Sequence, residues 1–226
     1  KPLLKINNKS LINHVYEKGQ STNIGDVYVA TGDEEIFKEV IKNNGKSIFT
    51  IKNHLTGTDR IYEAYEQLRR NDVDYIINLQ GDEPLIDTND IVNLNNLAIK
   101  HNSEIATLAC KLDIKNIENK NVVKVICDKN IEKNKFSFAK KFLRSIGNEK
   151  SANIYHHIGI YIYKVKALKK FIGLKQSSNE INLKLEQLRA LDNNIKIDVV
   201  FANSIPVGAD THEDYLEIKK LMEYKS

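Results

Sequence analysis

The sequence predicts an α/β fold in which a mostly parallel, mixed sheet carries helices on both faces. Three observations predict it. Short apolar, β-branched runs alternate along most of the chain with segments whose apolar residues recur at helical spacing. The run at 74–79 (DYIINL) has the continuous apolar character of a buried strand and passes straight into Gln80-Gly81-Asp82-Glu83-Pro84. The residues best suited to chemistry fall in loops just after strands or at helix starts, the rim where open α/β sheets bind ligands.

Taken in order, residues 26–31 (DVYVAT) form the first expected strand, ended by Gly32. Asp33 then caps a helix with Ile36, Phe37, Val40 and Ile41 on one face, stopped by Asn44 and Gly45. A short strand is expected at 47–51. Over 58–70 the positions Ile61, Ala64, Tyr65 and Leu68 follow the i, i+3, i+4, i+7 pattern of an amphipathic helix. After the buried strand, Thr88 or Asn89 opens a helix with Ile91, Leu94 and Ala98 on one face. Strands follow at 104–110 and 122–127, then a Lys- and Asn-rich stretch to residue 153 with a short strand at 136–139. A strand at 157–163, helices at 165–171 and about 182–192, a strand at 197–201 and a last helix from His212 complete the chain. The strands between 104 and 163 lack a long intervening helix. We read them as a mixed-sheet excursion on a single domain spanning 1–226, with about 111–155 forming a small dimerisation arm.

The length of 226 residues suffices for one substantial domain, and 41% hydrophobic with 28% charged residues is ordinary for a globular protein. No apolar run approaches the length of a membrane span, so a cytoplasmic enzyme is expected, with no membrane partner. A net charge of +4 is too weak to imply nucleic-acid binding, and basic pairs such as Lys140 with Lys141 and Lys169 with Lys170 read as solvated surface. Cys110 and Cys127 sit in apolar, strand-like runs and read as buried inert thiols rather than a disulfide.

Several clusters can carry chemistry. A buried strand ending in Gly81-Asp82 puts a carboxylate at the sheet rim, where a divalent cation bridging a triphosphate would sit. The same residues also make an ordinary strand-to-helix turn. Asp210 follows a strand and the break at Pro206 and Gly208, immediately before the last helix. Asp210 or Thr211 could simply cap that helix. Two rim aspartates reached from different strands nevertheless suit metal-assisted nucleotidyl transfer. Thr56-Gly57-Thr58-Asp59-Arg60 opens a helix, whose free N–H groups can read a base edge or hold an anion, or which Thr58 merely caps. His157, Gly159 and Tyr161 share one strand face, either for hydrogen-bonding sugar hydroxyls or for core packing. Glu186 and Gln187 lie on an amphipathic helix segment where surface polar residues are the default.

KPLL at 1–4, TGTDR at 56–60, NLQGDEPL at 78–85, NVVKVICD at 121–128, HHIGIYIY at 156–163, LEQLRAL at 185–191 and the Asp210-Thr211 loop occur in that order. Through them essentially the whole chain resembles the bacterial 3-deoxy-manno-octulosonate cytidylyltransferases, the CMP-Kdo synthetases. QGDEP is shared with wider sugar nucleotidyltransferases, whereas HxGIY followed by LEQLR is specific to the Kdo group. The resemblance implies a Rossmann-like nucleotidyltransferase fold and attack by the anomeric hydroxyl of Kdo on the α-phosphate of CTP, releasing pyrophosphate, for lipopolysaccharide biosynthesis. It implies Mg2+ held by Asp82 and Asp210, with Lys1 neutralising charge at the α-phosphate, so that Lys1, Asp82 and Asp210 form the catalytic set. It implies nucleotide contacts from Lys1, Gly57, Thr58, Arg60 and Asp82, and a sugar site of Gln80, Lys140, His157, Tyr161, Glu186 and Gln187. A homodimer with CTP and Kdo as small-molecule substrates is expected.

Two departures accompany the resemblance. The family opens with a strand and loop of the form ARxxSxRLPGKPL, and this sequence begins at KPL. We expect a further strand of roughly five or six residues and a phosphate-cradling loop ahead of it, and an inactive protein without them. The family's FSRxxIP stretch appears as Phe136-Ser137-Phe138-Ala139-Lys140-Lys141-Phe142-Leu143, so Lys140 offers a point charge where an arginine offers a fork. Where the family carries an additional acidic residue upstream of LEQLR, this sequence has Leu183 or its neighbours. An 8-amino-Kdo or another 2-keto-3-deoxy sugar acid is the alternative acceptor, and a non-catalytic nucleotide- or sugar-binding homologue the alternative class.

Overall fold

Ten short strands and nine helices can be traced among the described residues of a computed structural model, which are 1–51, 53–147, 149, 151–205, 207–209 and 211–224. Asp210, one of the two expected metal ligands, lies outside them. The chain divides into two compact units: Lys1–Asn71, Asn78–Val92 and Ser204–Ser226 form the first, Asp72–Ile77 and Asn93–Asn203 the second.

In the first unit, β1 (Lys5–Ile6) and β2 (Lys9–Ser10) form an antiparallel pair. Asn7 and Asn8 link them at positive φ, which asparagine tolerates better than most residues. Helix α1 (Leu11–Ser21) follows and buries Leu11, Ile12, Val15 and Tyr16. Those apolar residues fall along one helical face, and α1 is an addition to the expected elements. β3 (Val29–Thr31) pairs in parallel with β4 (Ser47–Phe49), with α2 (Glu34–Lys42) between them in sequence. As expected, Asp33 caps α2, its carboxylate accepting from the amides of Glu35 and Ile36. α3 (Gly57–Leu68) is capped by Thr56 and not by Thr58, which is buried. The last helix, α9 (His212–Glu223), is closed by a reciprocal box of Thr211 and Asp214. Its Ile218 packs with Ile6, Leu11 and Ala209, and a second cluster joins Ile12, Tyr16, Val29 and Val40. α1 therefore supplies one apolar residue to the first cluster and two to the second.

α4 (Thr88–His101) leads into the second unit. Six strands form its sheet in the order β5-β9-β6-β10-β8-β7. They are β5 (Tyr75–Asn78), β6 (Ile105–Lys111), β7 (Lys124–Cys127), β8 (Phe136–Leu143), β9 (Ile154–Lys164) and β10 (Ile197–Phe201). A further pairing of β7 with β9 closes a circuit through β9, β6, β10, β8 and β7. The sheet is mixed, as expected, but the antiparallel share is larger than strand–helix alternation suggests. β10 runs parallel to β6, while β6–β9, β7–β9, β7–β8 and β10–β8 are antiparallel. The cause is local: among the described residues, β7, β8 and β9 follow one another with only the single turn of α5 (Ile131–Asn134) between, and short connections favour antiparallel neighbours. Residues 111–155 thus contribute β7 and all of β8 to this sheet.

Two expectations in this unit are corrected. The strand at 136–139 runs on to Leu143. The single helix expected over 182–192 is two helices, α7 (Ser178–Leu183) and α8 (Leu188–Asp192), following α6 (Val165–Ile172). Lys184 adopts a left-handed conformation, φ 52°, which ends α7 and reverses the chain.

Candidate active site

The first group of candidate residues rests on α1. Its leading amides, which have no partner within the helix, donate to the opening loop: Leu11 N to Leu4 O at 2.9 Å and Ile12 N to Pro2 O at 3.1 Å. That loop carries Lys1, whose Nζ lies 2.8 Å from Asp82 Oδ2, both side chains being partly exposed. Asp82 sits in the turn after β5, where Glu83 N donates to Gln80 O. A Cβ on Gly81 would stand 2.8 Å from Ile12 Cδ1, so glycine lets the Asp82 turn settle onto α1. The amide of Ala209 donates to Asp82 O at 3.0 Å, tying the segment that precedes Asp210 to the same turn.

At the start of α3, Thr56 accepts from the Asp59 amide and donates to Asp59 Oδ2 at 2.7 Å. A Cβ at Gly57 would meet nothing nearer than Asn78 Nδ2 at 3.8 Å, so open space lies over that backbone. Arg60 donates through Nη1 to the Thr50 hydroxyl, and its guanidinium occupies the place a side chain at residue 32 would need. Gly32, at first sight only a strand terminator, therefore makes room for Arg60. The loop before α3 is fastened by Glu63, which accepts from the Ile51 amide at 3.0 Å and meets His54 Nε2. Burial works to raise the Glu63 pKa, but the Ile51 amide and His54 outweigh it and hold it below the usual range. No periodicity links His54 to Glu63 in sequence, and the pair escaped notice there.

The second group belongs to the other unit. Thr107 on β6 lies opposite Tyr161 on β9, at an irregularity in the pairing. Its hydroxyl is within 2.7 Å of Ile160 O, 3.0 Å of Ile158 O and 3.1 Å of His157 Nε2. A hydroxyl has one proton, which goes to a carbonyl, so Thr107 accepts from an Nε2–H of His157. Burial, then the neighbouring His156, pushes the His157 pKa down to about 3, so the imidazole is neutral and its Nδ1 is an acceptor. Tyr161 packs 5.5 Å from His157, ring to ring, confirming the shared face. Its hydroxyl is buried near that of Thr107 without a well-formed hydrogen bond, and burial raises its pKa well above the usual value against a smaller lowering by Thr107.

Glu186 and Gln187 lie in the turn between α7 and α8, not within one helix. Below them, Arg189 clasps Glu180 through Nε (2.9 Å) and Nη2 (2.6 Å), both side chains only 4% exposed. Burial favours the protonated acid, but Arg189 and Gln176 hold the Glu180 carboxyl below its usual pKa. The guanidinium also lies 4.7 Å over the Phe171 ring. The buried acidic residue upstream of LEQLR is therefore Glu180, and Leu183 is apolar and part-exposed. Lys140 is paired with Asp128 at 2.8 Å on the surface. Lys1, Gly57, Thr58, Arg60, Gln80 and Asp82 thus belong to the first unit, and Lys140, His157, Tyr161, Glu186 and Gln187 to the second. Both cysteines are free and buried, and burial lifts the Cys127 pKa to about 12, which suits an inert thiol. No group of three or more His, Cys, Asp or Glu side chains stands ready for a metal among the described residues.

Residues 1–197 match the family profile described as cytidylyltransferase. A 3-deoxy-manno-octulosonate cytidylyltransferase of Thermodesulfovibrio yellowstonii is 42% identical over 227 aligned positions, covering 95% of this chain and 88% of its own. The chain belongs to this cytidylyltransferase family. The enzyme of the same name from Bartonella henselae is 38% identical, covering 98% of this chain and 91% of its own. A solved CMP:2-keto-3-deoxy-manno-octonic acid synthetase complexed with CTP superposes with a TM-score of 0.89 at 31% identity, over 100% of this chain and 92% of that one. A UDP-glucose pyrophosphorylase complexed with UDP-glucose shares the fold, with a TM-score of 0.73 at 13% identity, covering 100% of this chain and 91% of its own. Membership accounts for the α/β architecture.

Proposed function

We propose that the protein couples CTP to Kdo, giving CMP-Kdo and pyrophosphate. The observation that carries this reading is the likeness, over the whole of this chain, to a synthetase of that name complexed with CTP. The anomeric hydroxyl oxygen of the sugar bonds to the α-phosphorus, the bond to the β-phosphate breaks, the hydroxyl proton passes to solvent, and pyrophosphate leaves with the electron pair. Lys1 stabilises the charge that grows on the α-phosphate, an interaction stronger in the transition state than before it. The open backbone over Gly57, the buried Thr58 and the fixed guanidinium of Arg60 hold the nucleotide.

Asp82 and Asp210 would hold Mg2+, which when bound neutralises the triphosphate. The donor set fits: magnesium takes one or two carboxylates plus phosphate oxygens rather than a protein cage, and Asp82 is a part-exposed carboxylate paired with the part-exposed ammonium of Lys1. Gln80, Lys140, His157, Tyr161, Glu186 and Gln187 bind the sugar acid. His157 accepts from a sugar hydroxyl through Nδ1, and Tyr161 offers a buried hydroxyl. Association into a homodimer through residues 111–155 and a place in cytoplasmic lipopolysaccharide synthesis complete the proposal.

The test is magnesium-dependent pyrophosphate release by the full-length protein with CTP and either Kdo or 8-amino-Kdo. Faster turnover per KM with Kdo is expected. A preference for the amino sugar reassigns the acceptor, and no release with either leaves a binding homologue.

A further inference from the structure

We propose that Arg144 is a positioning residue for the turn that carries Glu186 and Gln187, fixing that turn to the end of β8. The inference rests on the reading that this turn binds the sugar acid. The Arg144 guanidinium spends its hydrogen bonds on main-chain carbonyls: Nε donates to Leu183 O at 2.6 Å, Nη2 to Lys184 O at 3.0 Å and Nη1 to Lys120 O at 3.1 Å. The carbonyls of residues 183 and 184 stand at the end of α7, where a helix leaves acceptors unsatisfied and concentrates partial negative charge. Between them and Glu186 lie only the left-handed Lys184 and the buried Leu185.

The far side of the same turn is held by the buried Glu180–Arg189 pair. Arg144 is the second anchor, applied from the surface. It is itself held, since its carbonyl accepts from Lys124 Nζ at 3.1 Å and the same ammonium donates to Asn119 O at 2.6 Å. Lys124 is fully buried. A run of cation-to-carbonyl bonds therefore joins residues 119–120, 144 and 183–184, segments remote in sequence. The Arg144 side chain is partly exposed and its three hydrogen bonds all end on main-chain carbonyls, so what it contributes is the placement of those carbonyls. A lysine has one ammonium where the arginine fork reaches three acceptors on two segments.

Arg144→Ala and Arg144→Lys in the full-length protein test this, with steady-state kinetics, thermal midpoint and hydrogen exchange of the amides of residues 185–189. In Arg144→Ala the KM for Kdo is expected to rise about tenfold, the scale of re-ordering one backbone residue on binding. The KM for CTP and the thermal midpoint stay put, the turn amides exchange faster, and Arg144→Lys falls between. Unchanged exchange would overturn the proposal. So would a parallel rise in both KM values with a lowered midpoint, which marks a general structural role. Faster exchange with an unchanged Kdo KM would keep the staple, overturn its role in sugar binding and locate the failure in the assignment of Glu186 and Gln187.

Discussion

His157 makes the stability of this protein depend on pH in a way that one substitution removes. The group is a base whose pKa is pushed from 6.5 to about 3 by burial. As pH falls below 6.5 the unfolded chain takes up a proton at this position and the folded chain does not, until about pH 3. Between those values the unfolded state binds more protons, so stability rises with pH across the window and is lost on acidification. Each pH unit is about 1.36 kcal/mol, so moving from pH 7.5 to 5.0 crosses roughly 1.5 units of the window and removes about 2 kcal/mol. That is a large share of the roughly 5–15 kcal/mol that holds a typical domain. His157→Gln places an amide donor where Nε2–H met Thr107 but cannot titrate. Urea unfolding followed by far-ultraviolet circular dichroism at pH 7.5, 6.0 and 5.0 should show the variant losing about 2 kcal/mol less than the parent over that range. His156→Gln is the control, because His156 is also lowered, by burial and then by Lys124, yet is not sealed in. Equal pH slopes for the parent and His157→Gln, or a His157 resonance titrating near its ordinary value, would refute the reasoning.

Asp82→Asn is expected to lower turnover by about a hundredfold or more with an unchanged circular dichroism spectrum, and Asp210→Asn likewise. Pyrophosphate release near the parent rate from either variant would remove that residue from the metal-holding role. Glu180→Gln leaves the 4%-exposed Arg189 charge without its partner. Loss of one member of a buried pair typically costs about 3–5 kcal/mol, so a thermal midpoint lowered by roughly 10 °C is expected. A shift within error would mean that water or Phe171 already carries the guanidinium.

What the sequence disclosed depended on the range of the interaction that fixed it. The Asp33 cap on α2 and the turn that carries Asp82 after β5 are local patterns, and both were legible, although β5 is largely part-buried and not the buried strand expected. The box of Ser177 and Glu180 that opens α7 is equally local, since it needs only a hydroxyl and a glutamate three residues apart. The break between α7 and α8 was not legible. Lys184 is left-handed without being glycine or asparagine, and the amphipathic pattern runs on through it. What holds the reversal is the Glu180–Arg189 pair on one side and Arg144, forty residues upstream, on the other. Thr107 was invisible for the same reason: nothing in a buried ATLAC run announces that one hydroxyl will serve two carbonyls and an imidazole fifty residues away. The direction of the strands lay between these extremes. Alternation gave the architecture, but the short links around β7 and β8 turned much of the sheet antiparallel.

If the second group binds the sugar acid, as proposed, its electrostatics bear on which sugar acid it takes. His157 is neutral, Tyr161 is held protonated, and Gln187 carries no charge, so those three recognise by hydrogen bonding and not by charge. A site built of buried hydrogen-bonding groups discriminates mainly by the penalty of leaving one unpaired. In the proposed sugar site, Lys140 is the cation offered to the sugar's carboxylate, and its present partner is Asp128 at 2.8 Å. That pair is half exposed, and exposed pairs are worth about 0–1 kcal/mol, so Lys140 can leave Asp128 for a carboxylate at little cost. In that proposed role a lysine differs from an arginine fork, because a compact ammonium on a flexible stem can exchange one carboxylate for another. An ammonium on the acceptor changes this balance. It would bring donors to His157 Nδ1 and the Glu186 carboxylate, both of which accept, so an 8-amino sugar is tolerated on hydrogen-bonding grounds. Preference for Kdo then has to come from the third property of a hydroxyl, that it donates and accepts at once: the Tyr161 hydroxyl and the Gln187 amide can each use both halves, and an ammonium leaves the accepting half unfilled.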